Sequence, residues 1–291
     1  LWGQTLRSPH ASAKILSIDI SDAVAISGVH AVLTADDVPG ENIFGLERAD
    51  QPVLADAFIR YAGEPVAIVA ADHPEVARKA TDAIKVEYEI LSPLVDSYEA
   101  ITAKAIHPEG NVIRHLNIVH GDTEAVGDVI VEGEYEVGMQ DQAFMGTESG
   151  MAIPSPDGGI DLQISTQWLH SDQEQVATAL NMPIEMVRVT LAGVGGAFGG
   201  REDVSMHVHL CMLALYTGKP VKMVYDRNES FLGHVHRHPA KIWYSHHASS
   251  EGDLIKVEAK VILDGGAYAS TTSAVLANAC CFSIGPYSVP N

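Results

Sequence analysis

Hydrophobic and polar positions alternate between strand-like and helix-like spacings over the first hundred residues. The apolar run in "EPVAIVAAD" (64–72) reads as a buried strand, and "PEVARKATDAIKVEYEIL" (74–91) reads as a helix running into another strand. Asp72 is placed to cap that helix, with Glu75 three residues on completing a capping box. Together these segments predict a strand–helix–strand unit in a small α/β domain. A polar stretch, "HPEGNVIRHLNIVHGDTEA" (107–125), follows with turn signals and little periodicity, which puts a domain boundary there. Beyond it "DVIVEGEYEV" and "GIDLQISTQ" read as strands. Ser171 and Glu174 form a second capping box, opening a helix that runs to about Asn181. The pattern continues as a strand at 186–191, a helix at 205–216, a strand in "PVKMVYD" (220–226) and strand-like runs at 240–248 and 254–263. The expected fold is mixed α/β in two domains, 1–106 and 107–291. No short-period repeat or low-complexity segment interrupts it.

A chain of 291 residues, 46% hydrophobic, is long enough for two cored domains. Charge narrows the partners. Lys plus Arg number 18 against 38 Asp plus Glu, a formal net charge of −20, which repels phosphate backbones and anionic membrane surfaces. Nucleic acid and membrane are therefore not expected as partners, and no apolar run reaches the roughly 18 residues of a membrane span. The three cysteines, Cys211, Cys280 and Cys281, form neither a disulfide framework nor a C-x-x-C pair. With no secretory signal visible, they suggest a reducing, cytoplasmic setting. The chain starts at Leu1, already inside an apolar segment, and reads as a piece of something longer.

Candidate chemistry concentrates in "GVGGAFGGRED" (193–203), where five glycines fall within eight residues between a strand and a helix. Each glycine in an ordered segment costs roughly 0.5–1 kcal/mol relative to alanine, so the cluster calls for positive φ or for close approach of a ligand to main-chain N–H groups. The loop is not a nucleotide P-loop, because Arg201-Glu202 stands where a lysine–hydroxyl pair is needed, and it matches G-x-G-x-x-G only loosely. Glu202, at the expected start of the next helix, could cap that helix or accept hydrogen bonds from a ligand. Fourteen histidines include "MHVHL" (206–210) and "GHVHRHP" (233–239). Two imidazoles at i and i+2 share one face of a strand but diverge on a helix, and no acidic residue sits inside the second run. These histidines are therefore expected to pack or to lie at the surface. No G-x-S-x-G elbow is present, and Cys280-Cys281 sits in an apolar run where it is expected to pack.

Taken in order, "LRSPHASAKI" (6–15), "YAGEPVAIVAAD" (61–72), "ARKATDAIKVEYE" (77–89), "QISTQWLHSDQEQVATAL", "VRVTLAGVGGAFGGRED", "TGKPVKMVYDRNESF" and "GHVHRHP" resemble the molybdopterin-binding subunit of the xanthine dehydrogenase family of molybdenum hydroxylases. The resemblance covers essentially the whole chain. It implies a hammerhead-type α/β domain followed by the first part of a molybdenum-cofactor domain. Carried over by position, it places Gln167 beside the molybdenum ligands and the Phe198 N–H against the metal's oxo group. Gly196, Ala197 and Gly199 line the cofactor, and Glu202 contacts a purine. It further implies oxidative hydroxylation of a carbon flanked by nitrogen, with water as oxygen source. Electrons would leave through 2Fe-2S clusters to FAD on other subunits or domains. The general-base glutamate, a substrate-clamping arginine and most pterin contacts are expected downstream of these 291 residues, so no catalytic residue is assigned here. The chain alone is expected to be inactive. "QAFMGTESG" (142–150) departs from the family by carrying Gly-Thr where many members read Glu-Pro or Glu-Thr. Rival readings are a relative acting on aldehydes, carbon monoxide or an N-heterocycle such as nicotinate, and a non-catalytic binding or scaffold fragment.

Overall fold

The computed structural model describes residues 1–291. In chain order the elements are β1 (Trp2–Arg7), β2 (Ala13–Asp19), the one-turn α1 (Ser21–Val24), β3 (Val29–Leu33), β4 (Phe58–Ile59), β5 (Pro65–Ala71), α2 (Pro74–Ala83) and β6 (Lys85–Ile90). After α3 (Ser97–Thr102) come β7 (Val129–Val137), β8 (Ser149–Pro154), β9 (Ile160–Ile164), α4 (Leu169–Leu180) and β10 (Val187–Leu191). The remainder holds α5 (His207–Thr217), β11 (Val221–Val224), α6 (Arg227–Gly233), β12 (Ala240–Ala248), β13 (Leu254–Leu263) and α7 (Thr272–Phe282). No helix is long and apolar enough to cross a membrane.

Two compact units form, each from two stretches of chain: Leu1–Pro93 with Asp141–His236, and Leu94–Gln140 with Arg237–Asn291. The first unit is built on a seven-stranded mixed sheet in the order β10-β9-β8-β11-β1-β5-β3, beside a small sheet β4-β2-β6. The seven-stranded sheet thus takes strands from both 1–106 and 107–291. Its β5 explains its own composition. All seven residues are buried. Ala67, Val69 and Ala71 face a layer containing Ala77 and Ala80 of α2, while Ile68 and Ala70 join the larger core with Leu210 and Leu213 of α5. Because side chains alternate across a strand, a strand covered on both faces has no polar positions to offer. Helix α5 is apolar all round for the same reason, with every residue from His207 to Ala214 buried. The second unit carries an antiparallel sheet β13-β12-β7. In it β12 and β13 have the bounds of the two strand-like runs, 240–248 and 254–263.

Several local expectations need correction. Strands β5 and β6 flank α2 in the strand–helix–strand order expected, but they lie in different sheets. The cap of α2 is His73, whose Nδ1 accepts the Glu75 N–H at 3.2 Å, and not Asp72. Pro74 takes the first helical position, where its missing N–H does no harm, and this sets the cap one residue later than expected. Asp72 instead accepts from His30 Nε2 at 2.7 Å. Helix α4 begins at Leu169, ahead of the Ser171–Glu174 box. The Trp168 N–H at its start donates to the Thr166 hydroxyl, at 3.1 Å. Its C-terminal end is as expected: Asn181 adopts φ 51° as the left-handed cap.

Candidate functional site

Strands β9 and β10 are parallel neighbours, paired from Ile160↔Val187 to Ile164↔Leu191. Parallel pairing brings their C-terminal ends to one sheet edge, and that is where ligands gather in such sheets. After β9 the chain continues as Ser165-Thr166-Gln167, and after β10 it enters the glycine loop. The Ser165 hydroxyl donates to the Gly193 carbonyl at 2.8 Å, and the Gln167 N–H donates to the Arg201 carbonyl at 2.9 Å. The Gln167 side chain closes the same contact. Its Oε1 accepts the Arg201 N–H at 3.3 Å, and its Nε2 donates to Glu202 Oε1 at 3.4 Å. Gln167 and Glu202, remote in sequence, therefore meet as a side-chain pair.

Within the loop the backbone is left-handed at Gly195, Gly196, Phe198 and Gly199, with φ of 69°, 98°, 54° and 87°. Glycine takes this conformation freely, but Phe198 does not, and its ring is 77% exposed, so no core packing compensates the strain. The Ala197 carbonyl accepts the Gly200 N–H at 2.9 Å and closes the turn. A Cβ on Gly193 or Gly199 would meet nothing within 4 Å, whereas one on Gly200 would lie 2.9 Å from the Phe144 ring. One side of the loop is thus packed and the other open.

Glu202 does not cap a helix. Helix α5 starts only at His207, with Met206 at the cap position and no side-chain cap bond. That removes the helix-cap explanation for the carboxylate.

Three further residues support the site and carried no sequence signal of their own. Arg201 is buried, its guanidinium sits 4.3 Å from the Phe144 ring centroid, and its Nη2 donates to the Gly146 carbonyl. Burial pulls its pKa below the ordinary arginine range, against the opposing pull of Glu148 and with a further lowering from Arg227. Phe144 packs under Gly196 and Gly200, and its carbonyl accepts from Arg227 Nη2 at 2.8 Å. Asp172, fully buried, accepts the Thr166 hydroxyl and lies 3.5 Å from His207 Nε2. The "MHVHL" histidines pack, as expected: both His207 and His209 are buried in α5. A surface cavity of about 840 Å³ lies elsewhere, near the C-terminal end of α4 and lined by Thr178, Asn181 and Met182. It contains none of the residues above.

The donor set fits a large oxygen-rich group. A glycine loop with a side-chain-free face, a primary amide and a buried guanidinium with two unpartnered nitrogens offer hydrogen-bond donors and little steric obstruction. Comparison with known proteins agrees. Residues 106–291 match the molybdopterin cofactor-binding domain model, and residues 1–92 match the aldehyde oxidase and xanthine dehydrogenase a/b hammerhead domain. The chain is 36% identical to a probable xanthine dehydrogenase subunit of Bacillus subtilis, covering all of this chain and 40% of that protein. It is equally 36% identical to the nicotinate dehydrogenase large molybdopterin subunit of Eubacterium barkeri, covering 70% of it. Among solved structures, the aldehyde oxidoreductase of Desulfovibrio gigas superposes with a TM-score of 0.96 at 26% identity, over the whole chain and 34% of its own length. The chain thus spans well under half of the Bacillus and Desulfovibrio proteins. By fold, by motif order and by both domain matches, it belongs to the xanthine dehydrogenase and aldehyde oxidase family of molybdopterin-dependent oxidoreductases.

Proposed function

We propose that residues 1–291 supply one part of a molybdopterin site in an enzyme that hydroxylates a purine carbon, with water as the oxygen source. Iron–sulfur and FAD centres and the rest of the molybdopterin domain would come from other subunits or segments. When bound, the molybdenum cofactor supplies the two-electron acceptor for the oxidation. The residues proposed to hold it are Gln167, through its side-chain amide, and the loop Gly196, Ala197, Phe198 and Gly199, through main-chain N–H groups. Preorganised donors of this kind stabilise negative charge without reorganising during the reaction. Arg201, locked between Gly146 and Phe144, keeps the loop against the 142–148 segment.

One observation carries the purine reading. Glu202 is held beside Gln167 without capping any helix. A carboxylate there can accept hydrogen bonds from ring N–H groups and steady charge as it shifts around a heterocycle. Charged hydrogen bonds of this kind are worth roughly 1.5–3 kcal/mol, or about one to two decades in rate. In the assembled enzyme Glu202→Ala is expected to lower kcat/KM for xanthine or hypoxanthine by about that factor. Simple aromatic aldehydes, which offer no N–H, should be unharmed or improved. Equal losses on purines and aldehydes would remove Glu202 from the substrate site.

A nicotinate-type N-heterocycle is the second reading, favoured by the equal identity to the Eubacterium relative and the larger share of it that is covered. Turnover of nicotinate without turnover of xanthine would decide for it.

A further inference from the structure

The "GHVHRHP" segment leaves α6 at Gly233 and enters His234 in extended backbone, φ −132° and ψ 170°. In extended chain, residues two apart point the same way. His234 and His236 accordingly stack, with ring centroids 5.1 Å apart and planes 23° from parallel. Both Nε2 atoms converge on one oxygen, Asp141 Oδ2, each at 3.0 Å. The three donor atoms lie within 4.8 Å of one another. Asp141 is held in place by its other oxygen, which accepts the Ala143 N–H at 2.6 Å.

The converging atoms are not satisfied by one another. Asp141 Oδ2 and both ring nitrogens of His234 are buried without a hydrogen bond of acceptable geometry. The His234 side chain is only 2% exposed, so water does not compensate it. On its far side, the carboxylate of Glu148, itself 4% exposed, sits 3.2 Å from His234 Nδ1. A carboxylate at that distance favours the proton on Nδ1 electrostatically and leaves the Nε2 lone pair free to face a metal. A tetrahedral zinc ion with bonds of about 2.0–2.1 Å separates its ligand atoms by about 3.3 Å, close to the two 3.0 Å contacts seen here. The side chains of Asp141 and His236 are 19% and 20% exposed, which leaves an entry path and a fourth position for water.

We propose that Asp141, His234 and His236 form a zinc site, with Glu148 orienting His234 from outside the ligand shell. The ion joins the chain at 141 to the end of α6. Phe144 follows Asp141 closely, packs at 4.8 Å against the His234 ring and lies under Gly196 and Gly200 of the glycine loop. The site therefore clamps the segment that backs the loop, and its role is structural. Zinc binding here depends on these residues alone and not on the substrate or the cofactor of the loop.

The test is titration of chelator-treated protein, residues 1–291, with zinc by calorimetry, together with metal analysis after dialysis. One zinc per chain is expected, with a rise in thermal midpoint on addition of the metal. His236→Gln and Asp141→Asn should each weaken binding by at least about tenfold and abolish that rise. Glu148→Gln, which removes no ligand, should weaken binding by about tenfold, at the lower end for an outer-shell partner. Absence of saturable binding would overturn the proposal, as would the same affinity in His236→Gln, which would assign the zinc to other histidines. If the variants fail to fold, cobalt in the unmodified protein decides. An intense tetrahedral visible spectrum supports the site, and a weak octahedral one overturns it. A thermal midpoint that does not rise with zinc also counts against it.

Discussion

Replacing Asp172 by alanine is expected to destabilise the first unit by about 3 kcal/mol and to loosen the Gln167 corner before the rest. Asp172 lies in the first turn of α4, fully buried, and accepts the Thr166 hydroxyl. A hydrogen bond to a charged acceptor contributes about 1.5–3 kcal/mol, and a carboxylate at a helix N-terminus about 0.3–1 kcal/mol more. Deletion also strands the Thr166 hydroxyl, leaving the Arg201 carbonyl at 3.4 Å as its poorer partner, and removes the carboxylate contact of the buried His207 Nε2. Relief of the carboxylate's own desolvation offsets part of this, which is why the sum stays near the middle of the range. Asp172→Asn keeps an acceptor of the same shape and should cost about 1–2 kcal/mol less than the alanine change. Urea titration followed by fluorescence measures the loss, since Trp168 donates its backbone N–H to the same Thr166 hydroxyl. Hydrogen exchange should show the Gln167 N–H, bonded to the Arg201 carbonyl, opening early in Asp172→Ala. A cost below about 1 kcal/mol, or equal costs for alanine and asparagine, would refute this account of the corner.

His209 donates from Nε2 to the Val53 carbonyl at 2.8 Å, and burial pushes its pKa down to about 4 against an unfolded value near 6.5. The unfolded chain then binds the extra proton first, so stability is fully present above pH 6.5 and is lost as pH falls toward 4, by about 3 kcal/mol. His209→Asn should flatten thermal midpoints measured across that window, and an unchanged slope would count against it. Phe198→Gly relieves a left-handed φ at an exposed ring and should raise stability by up to about 1 kcal/mol; a loss in urea titration would show that the ring packs. Asn181→Ala should cost about 1 kcal/mol while Asn181→Gly is neutral or better, because the position is left-handed. Equal melting temperatures for the two would contradict the cap.

Periodicity and loop composition were readable from the chain where one local cause dominated. The strand-like runs at 240–248 and 254–263 are strands with those bounds, and the glycine cluster marks the left-handed turn at 195–199. Caps were less legible. Pro74 outranked Asp72 as the determinant of where α2 starts, and α4 begins at Leu169 with no side-chain cap, ahead of Ser171. What the sequence hid was contact across distance. Glu202 reads equally well as a cap or a ligand contact until the parallel pairing of β9 and β10 brings Gln167 beside it. Likewise the "HVHRH" run contains no acid, and Asp141 comes from another segment altogether. The available signal was the His-x-His spacing in non-helical chain, which specifies one shared face without naming the third group.

The parallel pairing of β1 with β11 has a consequence for biosynthesis. Trp2 sits opposite Lys222, and the Lys222 N–H donates to the Leu1 carbonyl at 3.0 Å. At translation rates of about 5–20 residues per second, β1 leaves the ribosome on the order of ten to forty seconds before β11 exists to receive it. During that interval β1 and β5 can pair with each other, but the β11-side edge of β1 is left bare. The nascent chain therefore passes through a stage with an open strand edge beside the apolar residues that α5 will later cover, and closing the sheet means closing the long loop from Trp2 to Lys222. Expression yield should respond to slowed synthesis or to added chaperone far more than the stability of the finished fold would suggest.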